Sequence, residues 1–251
     1  MLGSVESANS WHWAAWGKHP VAKDYFSLGL NSPLIKAFSD WIEKGYQALG
    51  SRRRPSSKLC SWRFWAKGPK KENLVCGVGR DSSDSLGRPY PLLIVGTGLL
   101  EGWEDQWDLL PFACEKTWSQ IEYLSTKRFI DVKELEGAIG IVRPPYPHWS
   151  EFVFQRERSQ RASPWASGDL ENKATSLSRK PEFFIRLEGG ASNDPFILTG
   201  LWHLLLKSPS GGVPNAVFMG GTPHDSYLVV FKRPLIPADF VRLWSDLGAL
   251  S

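Results

Sequence analysis

Arg80, Asp81, Asp84 and Arg88 fall in one short loop that also contains Gly87, Pro89 and Pro91 and follows Gly77 and Gly79. Carboxylates supply the hard oxygen ligands that a divalent cation takes, and guanidinium forks fit the oxygens of a phosphate. The same residue types also stabilise loops, because aspartate accepts backbone amides in tight turns and a nearby arginine offsets its charge. Two readings therefore stand side by side, a recognition surface and a loop buttress. Glycine frees the backbone and proline fixes it, so the loop that ends at Tyr90 has a defined shape on either reading. Asp24, with Lys18 and Lys23, forms a second polar group upstream that carries the same two readings, and Trp16 lies just before it.

Other chemistry is poorly supported. Gly77-x-Gly79-x-x-Ser82 superficially resembles a dinucleotide loop, but its continuation, Asp-Ser-Leu-Gly-Arg-Pro, is a poor helix start. No phosphate-cradling Gly-x-x-x-x-Gly-Lys-Ser/Thr occurs. His12, His19, His148, His203 and His224 lack zinc-ligand spacing, and no serine has a nucleophile-elbow context. Cys60, Cys76 and Cys114 are odd in number and widely spaced, as expected of reduced, buried thiols. No catalytic, cofactor-binding or metal-binding residue is nominated. The rival to a binding protein is a phosphatase-like hydrolase or nucleotide-binding switch that uses Asp81, Asp84 and Arg88.

These loops must be held by regular elements. Ser32-Pro33 opens a helix in which Leu34, Ile35, Phe38, Trp41, Ile42, Tyr46 and Leu49 share a face and Gly50 is the stop. Residues 61–66, 74–79 and 92–97 are short apolar or alternating runs, hence three strands, and the links between them are too short for parallel crossovers. A second helix starts near Pro111 and buries Leu110, Ala113, Cys114, Thr117, Trp118, Ile121 and Leu124, and a short one follows around 132–135. Further apolar runs lie at 183–187, 196–206 and 216–219. An alternating strand covers 227–231, and a short helix covers 236–244. The expected fold is mixed α+β, a central, at least partly antiparallel sheet covered by helices on both faces. The chain reads as a single domain, 1–251. Within it, 143–181, rich in proline, serine, arginine and glutamate, forms a long, partly mobile connection between the first two-thirds and the last third.

A chain of 251 residues with 42% hydrophobic and 22% charged residues has enough apolar sequence for a substantial core. The net charge of +4 is small, and its basic clusters, Arg52-Arg53-Arg54 and the lysines of 67–71, are too local to indicate nucleic-acid binding. Arg52-Arg-Arg-Pro-Ser56 also resembles a basophilic kinase site, but a solvated linker is the better reading. Residues 1–10 read as a loosely held start. No membrane span or secretory signal is read, so the expected location is the cytoplasm, without membrane insertion. Of thirteen tryptophans most belong to the core, and Trp11 and Trp13 are the candidates for exposure at an interface.

Four fragments in order, Trp16-Gly17-Lys18-His19-Pro20, Asp24-Tyr25-Phe26, Trp62-Arg63-Phe64 and Ser82-Ser83-Asp84-Ser85-Leu86-Gly87-Arg88-Pro89-Tyr90-Pro91-Leu92, resemble the TagF (ImpM) family of type VI secretion accessory proteins. Phe218-Met-Gly-Gly-Thr-Pro223 is similar to the family's Gly-Leu-Pro-type turn. His203 of Leu201-Trp202-His203 replaces a tryptophan, and 143–181 has no counterpart. The resemblance implies a cytoplasmic, post-translational repressor that engages a forkhead-associated scaffold protein and blocks assembly of the secretion apparatus. It also implies that Trp16, Lys18, Asp24, Arg80, Asp84, Arg88 and Tyr90 form or buttress the partner surface. An adaptor that positions a component is a third possibility.

Overall fold

Two-residue alternation builds the sheet. In β4 (Asn73–Arg80), Leu74, Cys76 and Val78 turn to one side and Val75 to the other, and β5 (Leu92–Leu99) divides Leu92 and Ile94 from Leu93 and Val95 in the same way. Both sets are buried, which requires cover on both faces. In the computed structural model, which describes residues 11–29, 32–50, 59–162, 168–187, 194–210 and 212–245, helices provide that cover. The remaining strands are β1 (His12–Gly17), β2 (Phe26–Leu28), β3 (Ser61–Lys67), β6 (Glu182–Arg186), β7 (Ala216–Gly221) and β8 (Ser226–Phe231). Together they form an eight-stranded sheet in the order β2-β1-β5-β4-β3-β7-β8-β6, with every pairing antiparallel. Because β7 pairs with β3, the carboxy-terminal strands extend the same sheet.

One face is covered by α1 (Pro33–Leu49) and α7 (Pro237–Trp244), which contribute Ile35, Phe38, Ile42, Phe240 and Leu243 to a core shared with Trp62, Phe64 and Phe218. The two helices approach closely at Gly45, where a Cβ would lie 2.4 Å from Phe240. Ser32 stands at the amino-terminal cap position of α1, but its carbonyl, not its hydroxyl, is used: it accepts from Lys36 N. The other face carries α2 (Leu110–Thr126), α3 (Val132–Gly140) and α6 (Pro195–Ser210), packed on Trp65, Cys76 and Ile94. The α-β-α layering expected from the sequence is therefore present. Trp62, Trp65, Trp103 and Trp118 are fully buried, and the indole N–H groups of Trp62 and Trp118 donate to Leu243 O and Phe64 O, both at 3.2 Å.

The structure corrects several expectations. Residues 143–181 carry two helices, α4 (Trp149–Ala162) and α5 (Gly168–Ser178), where a long connection was expected. Their sequences are too polar for a clear apolar stripe. Helix α4 docks through buried Phe152, and Arg156 bonds to Asp108, a buried carboxylate that also binds Lys207 at 2.6 Å. Helix α3 runs on to Gly140, past the expected short turn. Strands β1 and β2 were not anticipated, because the Trp- and Ala-rich β1 shows strand character only once it is aligned on β5, and the three-residue β2 only once it is aligned on β1. Trp11 and Trp13 are half-buried, stacked 5.8 Å apart over Gly98 and Gly96, where a Cβ would meet the indoles at 2.6 and 2.4 Å. Residues 1–10 and the basic segment 51–58 with its kinase-like sequence lie outside the described residues.

Candidate functional site

Antiparallel pairing of β1 with β5 sets Gly17 opposite Leu92, so the chain leaving β1 and the chain entering β5 emerge side by side. Gly17 has φ +122°, and a Cβ there would lie 2.0 Å from Pro91 O, so the close approach that turns Lys18 into the protein requires glycine. The 81–91 loop closes on itself through a Ser83–Pro89 bridge and a turn at Gly87, φ +77°, whose N–H donates to Asp84 O at 2.9 Å. Asp84 Oδ1 accepts the amides of Leu86 and Arg88, each at 3.0 Å, which is the aspartate-led turn expected from the sequence. Gly77 and Gly79 serve a different purpose: a Cβ at Gly77 would meet Ile94 O at 2.5 Å, and one at Gly79 would press on Trp244 at 3.2 Å.

The bend after Gly17 and the 81–91 loop form two elbows that meet at Asp84. Its buried Oδ2 receives Lys18 Nζ at 2.9 Å and Arg88 Nε at 2.7 Å, and Lys18, although a lysine, is also buried. Arg88 then reaches back across the junction and donates through Nη2 to Lys23 O at 2.6 Å, with Asp24 Oδ2 at 3.4 Å. A main-chain bond from Ser85 N to Ala22 O, 2.9 Å, ties the same two segments. Burial alone would raise the Asp84 carboxyl, but the Lys18 bond, then the backbone and guanidinium of Arg88 and the Leu86 amide, outweigh it and hold the group well below the usual carboxylate range.

Tyr90 lies beneath the junction, 5% exposed, with Trp16, Tyr25 and Tyr46 packed edge-on at 5.2, 4.6 and 4.5 Å. Burial pushes its phenol up, with a smaller contribution from Tyr25. Tyr46, which the sequence assigned only to the apolar face of α1, sends its hydroxyl to Pro89 O at 2.9 Å and so braces the loop from the helix. No local signal pointed to that role. On the outer surface, Tyr25 is 54% and Leu86 71% exposed, and they flank the half-exposed Arg88 and Asp24.

The family model for the TagF N-terminal domain, type VI secretion system-associated, matches residues 14–139, half of the chain and the part that contains both elbows. This chain belongs to the TagF family. The crystal structure of PA0076 from Pseudomonas aeruginosa PAO1, at 2.05 Å resolution, superposes with a TM-score of 0.53 at 20% identity. The match covers 93% of this chain and 94% of that one, so the two share a fold. No curated protein matches the chain significantly.

In this TagF chain, Trp16, Lys18, Asp24, Asp84, Arg88 and Tyr90 come together, but Arg80 does not join them. Arg80 follows Val78 at a two-residue step, so it points to the α2 face, where Nη1 donates to Ser125 Oγ at 3.1 Å. Asp81 is also separate: its carboxylate accepts Cys60 N at 2.8 Å and Trp244 Nε1 at 3.0 Å, pinning the end of α7 to the start of β3. The Asp81, Asp84 and Arg88 cluster required by the enzymatic rival is thus split between different surroundings. Among the described residues no group of His, Cys, Asp and Glu is arranged to hold a metal, and no helix is long and apolar enough to cross a membrane.

Proposed function

We propose that this TagF-family protein is a non-enzymatic, cytoplasmic regulator of type VI secretion that represses assembly of the apparatus by binding a forkhead-associated scaffold protein. The observation that carries this reading is the elbow junction: buried Lys18 and Asp84 lock two loops 66 residues apart in sequence into one rigid unit. That unit presents Tyr25, Leu86, Arg88 and Asp24 outward. Tyrosine and arginine are residue types that interface centres favour, and the rigidity of the face lowers the entropy cost of binding. The non-enzymatic part of the reading is supported by the commitments of Asp84, both of whose oxygens are taken by internal donors.

A pull-down with purified scaffold, phosphorylated and unphosphorylated, tests the reading. Retention of either form supports it, and retention of neither overturns it. Arg88→Ala is expected to weaken retention about tenfold, while the melting temperature moves by no more than about 2 °C. The fold tolerates this loss because Lys18 still neutralises Asp84 and half of the Arg88 side chain faces solvent. Unfolding of the variant would instead assign Arg88 to the buttress. For the hydrolase or switch alternative, a thermal-shift series with nucleotides and divalent ions at millimolar concentration is decisive, since a ligand bound only by the folded state raises the transition. No rise is expected.

A further inference from the structure

Arg80 lines a cleft of about 560 Å³ at the end of the sheet, between the carboxy-terminal half of α2 and the β7–β8 turn. Among the described residues it forms no ion pair; its bonds run to Ser125 Oγ and, at 3.4 Å, to Asp81 O. Both nearby carboxylates are committed elsewhere. Glu122 forms a two-bond fork with Arg63 at 2.7 and 2.8 Å, and Asp81 holds Cys60 N and Trp244 Nε1. A half-buried guanidinium without a carboxylate carries a desolvation cost, and here burial outweighs the attraction of Glu122 and Asp81 and lowers its pKa.

The mouth of the cleft is apolar. Leu59 and Tyr123, at 51% and 62% exposure, are two of the few large hydrophobic side chains on the described surface, and both line it. Thr126, Thr222 and Ser226 add hydroxyls. The cleft adjoins a second hollow of about 280 Å³ through Gly220 and Ser226, which line both, and the second hollow is walled by Trp118, Phe196 and Met219. Two adjoining hollows along a sheet end suit an extended chain better than a compact small molecule. Glu122, forked to Arg63, also lines the first cleft, and Arg63 and Asp194 line the second hollow, so Arg80 is the lining cation that no carboxylate pairs with among the described residues.

We propose that this groove binds an extended segment of a partner protein in which an aspartate or glutamate pairs with Arg80 and flanking apolar side chains lie against Leu59 and Tyr123. The site is separate from the elbow junction, and it stands whether or not a forkhead-associated scaffold is the partner there. The pairing is charge-assisted and partly desolvated, which strengthens a guanidinium–carboxylate contact relative to one in open solvent.

Amide chemical-shift titration of the full chain tests it with three probes: acetyl-Leu-Asp-Leu-amide, its neutral analogue acetyl-Leu-Asn-Leu-amide, and sodium acetate. The acidic peptide is expected to shift the amides of Arg80, Thr126 and Thr222 with a Kd of about 1 mM, the range of a short segment held by one ion pair and two side chains. Arg80→Gln is expected to abolish the response. Tyr123→Ser, at a site whose side chain is largely in solvent, weakens it about threefold without touching the fold. No shift at these amides, an equal response to the asparagine peptide, an equal response to acetate alone, or an unchanged response in both variants would each overturn the proposal.

Discussion

Asp84→Ala is expected to lower the melting temperature by on the order of 10 °C, because removing one member of a buried ion pair strands the other and a chain of this size loses a few degrees per kcal/mol. Lys18 Nζ then lies buried without the carboxylate it pairs with, and the amides of Leu86 and Arg88 lose their acceptor. The double variant Lys18→Met, Asp84→Leu should recover much of the lost stability, since it replaces both charges with apolar groups at once. Melting of the single and double variants, measured side by side, separates the cost of an orphaned charge from the value of the pair. Equal losses in the two would show that the turn made by Asp84, not its pairing with Lys18, is what the loop needs. The pH dependence has a definite sign. The Asp84 carboxyl is depressed in the folded state, so its contribution is complete above its ordinary range near pH 4 and is lost as pH falls through and below that range.

A second acid-sensitive group acts at higher pH. His203 is 1% exposed in α6, its Nδ1 lies 2.8 Å from Thr199 O, and Trp65 Nε1 donates to its Nε2 at 3.2 Å. These partners fix the neutral ring with the proton on Nδ1. Burial pulls its pKa down to about 4, against smaller upward contributions from the Thr199 carbonyl and Asp108. The unfolded chain, near 6.5, takes up a proton that the folded chain refuses, so folding stability falls as pH drops from about 6.5 to about 4 and the contribution is flat below that. The expected loss over that window is roughly 3 kcal/mol. His203→Gln, which can still accept from Trp65, should flatten the curve between those pH values and leave the lower-pH loss from Asp84 in place. Urea denaturation at half-unit pH steps checks this. A mutant curve with the wild-type slope would remove His203 as the cause. The family resemblance marks this position as a departure from tryptophan, and the structure gives the replacement a specific partner in Trp65.

Some elements were legible because their signals are local. The three central strands showed as alternating apolar runs between turn residues, and α1 showed as a three- and four-residue repeat opened by Pro33, since both faces of a covered sheet and one face of a covering helix must be apolar. Helices α4 and α5 were hidden because they cover the core with few residues, Phe152 and Ala174 among them, and leave the rest polar. The short β2 depends on pairing that no window of residues displays.

At the candidate site the same division holds residue by residue. The sequence by itself determined the shape of the 81–91 loop, because an aspartate that accepts amides two and four residues ahead, a glycine at positive φ and flanking prolines act through neighbouring atoms. Arg80, which the loop reading grouped with Arg88, continues β4 and shares the side of Val78, and only the packing of α2 on that side gave it Ser125 as a partner. Only the tertiary structure decided that Asp84 is neutralised by Lys18, that Tyr46 braces Pro89 from a helix, and that Asp81 serves α7 instead of Asp84. Each of those contacts joins segments that are distant in sequence. Such segments meet only when the β1–β5 pairing and the packing of α1 and α7 bring them together, and that order is a property of the whole sheet.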